Sequence, residues 1–313
     1  MSVKAIWENT TIYSKFLLAV GVVLISASLF TIVSVFAAAG IYGINASQLQ
    51  EMMTNFSNPD SIKVLKFIQT ISTIGMFIVP AFVIAYFFDQ HPLNYLSIDK
   101  KINFASALLV VIALIVALPL INYLGELNSH LSLPSFLSGI EKWMKDSEDK
   151  AAELTKGFLE MHSASDLIFN VFMIALLPAI GEELLFRGII QRIFSEWSKN
   201  VHVGIWISAI LFSAMHMQFY GFLPRMMLGG LLGYLLLWSG SLWLPIIAHF
   251  VNNASAVIFT YLFSEKIITE DPDKIGIEGE MISVLVSTLV FSFLLWVVYK
   301  REKKRKEISF SAI

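Results

Sequence analysis

Three short constellations in the second half of the chain combine residue types that do chemistry with spacings that could bring them together. The stretch PAIGEELLFRG, Pro178 to Gly188, sets Glu182, Glu183 and Arg187 in a strongly apolar context. His216 lies in AILFSAMHM and His249 in LPIIAHFVNNAS, with Phe212 four residues before the first and Asn253 four residues after the second. An ionised side chain at a membrane-helix centre costs about 3 kcal/mol on insertion scales, so such groups are rare and mark a site or a paired network. Positions four apart share a helix face, so Glu183 and Arg187 can form a neutralising pair, as Phe212 and His216 or His249 and Asn253 can meet. Glu182 is turned about 100° from Glu183 and is free to face a cavity.

The chemistry open to these groups is hydrolysis. A carboxylate in apolar surroundings suits general-base work near neutral pH, a histidine binds a metal or hydrogen-bonds an oxyanion, and an asparagine amide donates to one. Water activated by Glu182 could then attack a peptide carbonyl, with Asn253 supporting the oxyanion. Each residue taken singly also fits a satisfied polar group that holds helices together. Three clusters in successive apolar segments favour a site, because a structural membrane interior rarely holds so many costly groups. Pro178 stands four residues before Glu182, and a proline within a helix removes a backbone hydrogen bond and favours a kink, here one that opens the bundle beside the carboxylate.

Apolar helices must position these groups. Of 313 residues 56% are hydrophobic and 15% charged, with a mean hydropathy of +0.71, against about 25% charged in soluble domains. The fold class expected is all-α, a polytopic membrane protein with about eight transmembrane helices enclosing an intramembrane chamber. A span needs roughly 20 apolar residues. The candidates are Phe16–Ile41, Phe67–Phe88, Phe104–Leu124, Leu167–Phe194, Val203–Phe219, Met226–Trp238, Leu244–Phe263 and Ile282–Tyr299. The fourth is long and charged at its middle, and the sixth is short and carries Gly229, Gly230 and Gly233, which suits close helix packing. The first run is too long for a signal-peptide core and reads as a span. One domain, 1–313, is expected, with a catalytic core at about 166–263. Between the third and fourth spans, residues 139–161 repeat apolar positions at helical spacing and read as an amphipathic helix on the bilayer surface or capping the bundle, or as a substrate-guiding lid.

Orientation follows from the basic residues. With the N-terminus inside, Lys4, Lys15, Lys100, Lys101, Arg187, Arg192, Lys199 and the KREKKRK tail fall on the inner side, so both termini are expected in the cytoplasm. A formal charge of −2 gives no footprint for nucleic acid, and the absence of cysteine means that any metal would rest on His and carboxylate. Straight helices leave one conflict: His216 falls about 20 Å along its span and His249 about 8 Å along a span entered from the same side. Either the spans end elsewhere or the Ser239–Leu244 connection, made of uncharged turn formers, is re-entrant, and that composition favours the re-entrant connection.

GEELLFRG, FSAMH and HFVNN resemble the EExxxR, FxxxH and HxxxN motifs of the CPBP family, the CAAX-protease and bacteriocin-processing (Abi) intramembrane proteases, in the family's order and over about residues 166–263. The resemblance implies an eight-helix intramembrane endopeptidase in which Glu182 activates water, His216 and His249 bind a metal or the substrate carbonyl, and Asn253 supports the oxyanion. Glu183, Arg187 and Phe212 take supporting roles. It leaves open a divalent metal such as zinc, held by His216, His249 and Glu182, or a metal-free glutamate mechanism. The partners expected are a membrane protein or peptide substrate and the lipid bilayer, without nucleic acid, in a bacterial inner membrane. The rival readings are a non-catalytic scaffold or bacteriocin-immunity protein and a proton-coupled transporter.

Overall fold

The computed structural model describes residue 7 and residues 10–277 and 281–311, the side chains of 308–311 excepted; Lys4 lies outside the described residues. Among them there are helices and no strand. Helix α1 is Ile12–Tyr42 and α2 is Pro59–Phe88. Helices α3, Phe104–Val116, and α4, Leu118–Ser129, form a pair bent by 50°. Helix α5 is Ser138–Leu159 and α6 is Ala164–Ser198. Then follow α7, Val201–Met215, α8, Phe222–Ser239, α9, Trp243–Ser264, and α10, Met281–Ser311.

Each expected span therefore has a helical counterpart. Six helices are long and apolar enough to cross a membrane, and the bent pair α3–α4 makes a seventh. The eighth counterpart, α7, has 15 residues and falls short of the roughly 20 needed for a full crossing. The bend has a local cause: Pro119 has no N–H to give the Ile115 carbonyl, and at the bend the Val116 carbonyl accepts from Ser287 Oγ at 2.6 Å. Polar residues start the helices where the apolar runs begin. Asn58, Asn103, Ser163 and Asn200 each accept a first-turn backbone N–H, which satisfies a donor that the helix itself leaves unpaired.

Helix α6 carries the acidic pair, and its length of 35 residues includes two π-helical segments, Val171–Leu176 and Phe186–Ile190, that flank it. The first runs into Pro178. In α-helical register the Ile174 carbonyl would pair with the N–H of residue 178, which proline lacks; the Asn253 amide donates to it instead, at 3.3 Å. A third π segment, Ile74–Ile78 in α2, packs on α6 at Gly181. A Cβ placed on Gly181 would sit 2.8 Å from Phe77 Cβ, so the absence of a side chain lets α2 and α6 approach directly beside Glu182.

The α8–α9 connection corrects the re-entrant expectation. It is buried at Ser239, Ser241 and Leu242, but its polar groups meet charged segments. Arg305 donates to the Ser239 carbonyl at 2.7 Å and Lys306 to that of Leu237 at 2.8 Å. Ser241 Oγ donates to the Lys100 carbonyl at 2.7 Å. The turn thus stands at the charged end of the bundle, and Gly240, at φ 70°, closes α8 in the left-handed conformation that glycine adopts without penalty.

The amphipathic stretch forms α5, a 22-residue helix that reaches the segment after His216. Its Trp143 ring lies 5.4 Å from that of Phe219, and Glu148 accepts from the Tyr220 N–H at 3.4 Å.

The Gly181 contact gives a direct test of the packing. Gly181→Ala should destabilise the purified protein by about 1–3 kcal/mol through overpacking against Phe77, read as a lowered midpoint of thermal unfolding in detergent.

Candidate active site

The two acids of α6 occupy different surroundings because one residue of helix rotates them apart. Glu183 and Arg187 are fully buried. Arg187 Nη1 donates to Glu183 Oε1 at 2.7 Å, and Nη2 donates to the Gly229 carbonyl of α8 at 3.0 Å. The guanidinium also stacks over the Phe212 ring, 4.6 Å from its centroid. The expected helical pair is therefore present, and Arg187 fastens α6 to α8 through the Gly229 carbonyl and to α7 by stacking on Phe212.

Glu183 also does something its spacing from Arg187 does not reveal. The same Oε1 meets Nδ1 of His249 on α9 at 2.9 Å. An ionised carboxylate only accepts, so Nδ1 carries the hydrogen and the ring turns Nε2 away from Glu183. Nε2 then lies 3.8 Å from Glu182 Oε2, beyond direct hydrogen-bond reach but within the span one water can bridge. Glu182 is 8% exposed and His249 2%, and Glu182 Oε2 has no hydrogen-bond partner among the described residues. Two carboxylates and one guanidinium leave one negative charge in this array. A single further proton shared between Glu182 and His249 neutralises it, which is the least costly charge state for buried groups.

His216 caps the end of α7. Its Nδ1 lies 2.8 Å from the Phe212 carbonyl, and because a carbonyl only accepts, this ring too carries its hydrogen on Nδ1 and presents Nε2. Phe212 links the two histidines edge to face, with ring centroids 5.1 Å from His216 and 5.7 Å from His249. The straight-helix conflict over depth thus disappears, since one phenylalanine touches both imidazoles.

Asn253 is placed differently from the other three. Its amide serves the Ile174 carbonyl, and its Oδ1 accepts from Asn252 at 3.0 Å; no described hydrogen bond joins it to Glu182, His216 or His249. Glu182, His216 and His249 were also the expected donors for a metal. Each histidine has its Nδ1 held, which leaves Nε2 as the nitrogen that a ligand bond would use. Yet among the described residues no three His, Asp or Glu side chains converge on one ion position. Glu182 and His249 face one another as a two-donor set, short of the three protein ligands of a catalytic zinc, and no described hydrogen bond or ion pair joins His216 to either. These residues as arranged do not fit a metal, and no step is derived through one.

Sequence reasoning placed Glu183 in a supporting role but missed its bond to His249. The one available signal was chemical: a carboxylate has about four acceptor positions, and a single arginine leaves some of them free. The role of Asn253 at the Ile174 carbonyl was similarly signalled by Pro178, whose missing N–H strands that acceptor.

Comparison with known proteins bears out the resemblance drawn from the three motifs. Residues 164–255 match the family described as type II CAAX prenyl endopeptidase Rce1-like, within the CPBP family. A Bacillus subtilis (strain 168) relative described as uncharacterized protein YpbD is 29% identical over 119 residues, 37% of this chain and 56% of the relative. An uncharacterized 24.3 kDa protein of Escherichia coli is 32% identical over 110 residues, 34% of this chain and 50% of that protein. The chain thus spans about half the length of the curated relatives it matches. No solved structure matches it.

Arg187→Met should destabilise the protein by about 3–5 kcal/mol, because it strands the Glu183 charge in the interior. Adding Glu183→Gln should recover part of that loss. Unfolding of the two single variants and the double variant in detergent measures the coupling, and strictly additive losses would contradict the pairing.

Proposed function

We propose that this CPBP-family chain is an intramembrane endopeptidase of the CAAX-protease type, which hydrolyses a peptide bond of a membrane-associated protein or peptide with water activated by Glu182. The observation that carries the reading is the unpartnered Glu182 Oε2 facing a histidine nitrogen 3.8 Å away. A scaffold would gain by pairing or omitting that buried carboxylate, since an unsatisfied buried acceptor destabilises a fold. A general base needs it free.

In the reaction, Glu182 takes a proton from the water, and the resulting hydroxide adds to the scissile carbonyl carbon. Protonated His249 donates from Nε2 to the oxyanion that forms, while Glu183 keeps Nδ1–H in place. The C–N bond then breaks, the carbonyl re-forms, and the proton held on Glu182 passes to the leaving amine. The two protons and the oxygen of one water end on the two products. His216, with Nε2 turned out from the same phenylalanine, is the second group for the substrate carbonyl, and the second amide hydrogen of Asn253, one helical turn after His249, is a further donor for the oxyanion. Arg187 neutralises Glu183 and so keeps it an acceptor.

Orientation and compartment follow the same reading. Both termini face the cytoplasm of a bacterial inner membrane, and the chain forms one domain with its catalytic core at 166–263.

Glu182→Gln keeps the shape of the side chain and removes the base. Cleavage of a membrane peptide by the purified variant should fall by about 10²–10⁴, with the unfolding midpoint unchanged. Activity should persist after exhaustive chelation. Full cleavage by both Glu182→Ala and Glu183→Ala would overturn the mechanism.

A further inference from the structure

A polar cavity lies away from the acidic pair, where α1 ends and α2 and α6 begin. Its volume is about 560 Å³. Lys63 and Lys66, on one face of α2, line one wall, and Glu160 and Asp166, on either side of the α5–α6 connection, line the other. Phe67, Ile71 and Phe169 make the apolar part, and Phe169 is exposed on the outside of the bundle.

The depth of this cavity says what surrounds it. Helix α2 has 30 residues and is about 45 Å long, against about 30 Å of hydrocarbon, so its ends stand in the headgroup layer. Lys63 and Lys66 are about 6 and 11 Å from its start by helical rise. Tyr42, the last residue of α1, lies under Lys63, whose Nζ is 5.9 Å from the ring centroid, as suits an aromatic residue at the membrane interface. Lipid thus reaches the apolar side of the cavity while its polar side remains at headgroup level.

The charges in the cavity are separated rather than paired. Neither lysine makes an ion pair within 4.0 Å among the described residues. Across the cavity Asp166 is fixed by its own turn, accepting from Ser163 Oγ at 2.8 Å and from the His162 N–H at 3.0 Å. Glu160 lies 3.5 Å from the His162 ring. A lone anion would meet the two lysines but also face two acids. A ligand carrying a phosphate and an ammonium a few bonds apart would satisfy both walls at once.

We propose that this cavity binds a phospholipid with a zwitterionic phosphoethanolamine headgroup. The phosphate meets Lys63 and Lys66, the ammonium meets Glu160 and Asp166, and an acyl chain lies along Phe67, Ile71 and Phe169. Phosphate contacts from a cationic side chain are charge-assisted and strong, and their placement at headgroup depth selects lipid over soluble phosphate. The proposal depends on the membrane reading of the helices and not on the peptidase reaction.

The test is binding to the purified full chain in a neutral detergent, measured by native mass spectrometry and by the shift in unfolding midpoint. The probes are phosphatidylethanolamine, phosphatidylglycerol, diacylglycerol and inorganic phosphate. Phosphatidylethanolamine should bind best and raise the midpoint. The double variant Lys63→Gln/Lys66→Gln should bind it about a hundredfold more weakly, about tenfold for each of two lost charge-assisted contacts. Glu160→Gln, a change at an exposed position, should narrow the preference for phosphatidylethanolamine over phosphatidylglycerol. Equal binding of diacylglycerol, equal binding of phosphatidylglycerol by the unaltered protein, lysine-dependent binding of inorganic phosphate alone, or unchanged lipid binding by the lysine variant would each overturn the proposal.

Discussion

One carboxylate oxygen, Oε1 of Glu183, is shared between Arg187 at 2.7 Å and His249 at 2.9 Å in a fully buried setting. The geometry of the candidate site depends on that sharing. The guanidinium makes a buried carboxylate tolerable, because a charge withdrawn from water needs both a counter-charge and hydrogen bonds. The carboxylate in turn fixes which imidazole nitrogen bears hydrogen and which faces Glu182. Adjacent glutamates thereby acquire different surroundings: the one whose acceptor is engaged holds the histidine, and the one rotated away on the helix keeps an oxygen without a hydrogen-bond partner. The interaction also ties α6, α8 and α9 together, since Arg187 reaches the Gly229 carbonyl and Phe212 lies against the guanidinium and both histidines.

Backbone irregularities supply the positions that this arrangement needs. The acidic pair stands between two π-helical segments of one helix, and a third faces it from α2. Each such segment widens a turn and re-aims the residues that follow, which is why π segments recur at functional sites. Proline at 178 and glycine at 181 act beside them. The first strands the Ile174 carbonyl, which Asn253 then satisfies, and the second removes the side chain that would hold α2 away from Glu182.

Much of this was legible in the sequence for a simple reason: spacings of three and four along an apolar helix report a shared face without any tertiary information. The Glu183–Arg187 pair, the Phe212–His216 contact and the eight apolar segments all have that local origin. Depth and inter-helix contact do not. Counting 1.5 Å per residue along straight axes separated His216 from His249, whereas Phe212 joins them. The shared Glu183 oxygen was hidden because nothing local specifies which of two rotated acids meets α9. Three motif histidine and acid positions suggested a metal, but spacing along separate helices does not report whether their donors converge, and among the described residues no three do.

The central claim is that Glu182 acts as a general base on water and never bonds to the substrate. Cleavage of a membrane peptide in water enriched in oxygen-18, with mass analysis of both the product and the Glu182-bearing segment after one turnover, tests it most directly. The account predicts the heavy oxygen in the new carboxylate of the product and none in Glu182. Heavy oxygen in the Glu182 side chain would reveal an acyl intermediate on that carboxylate and contradict it.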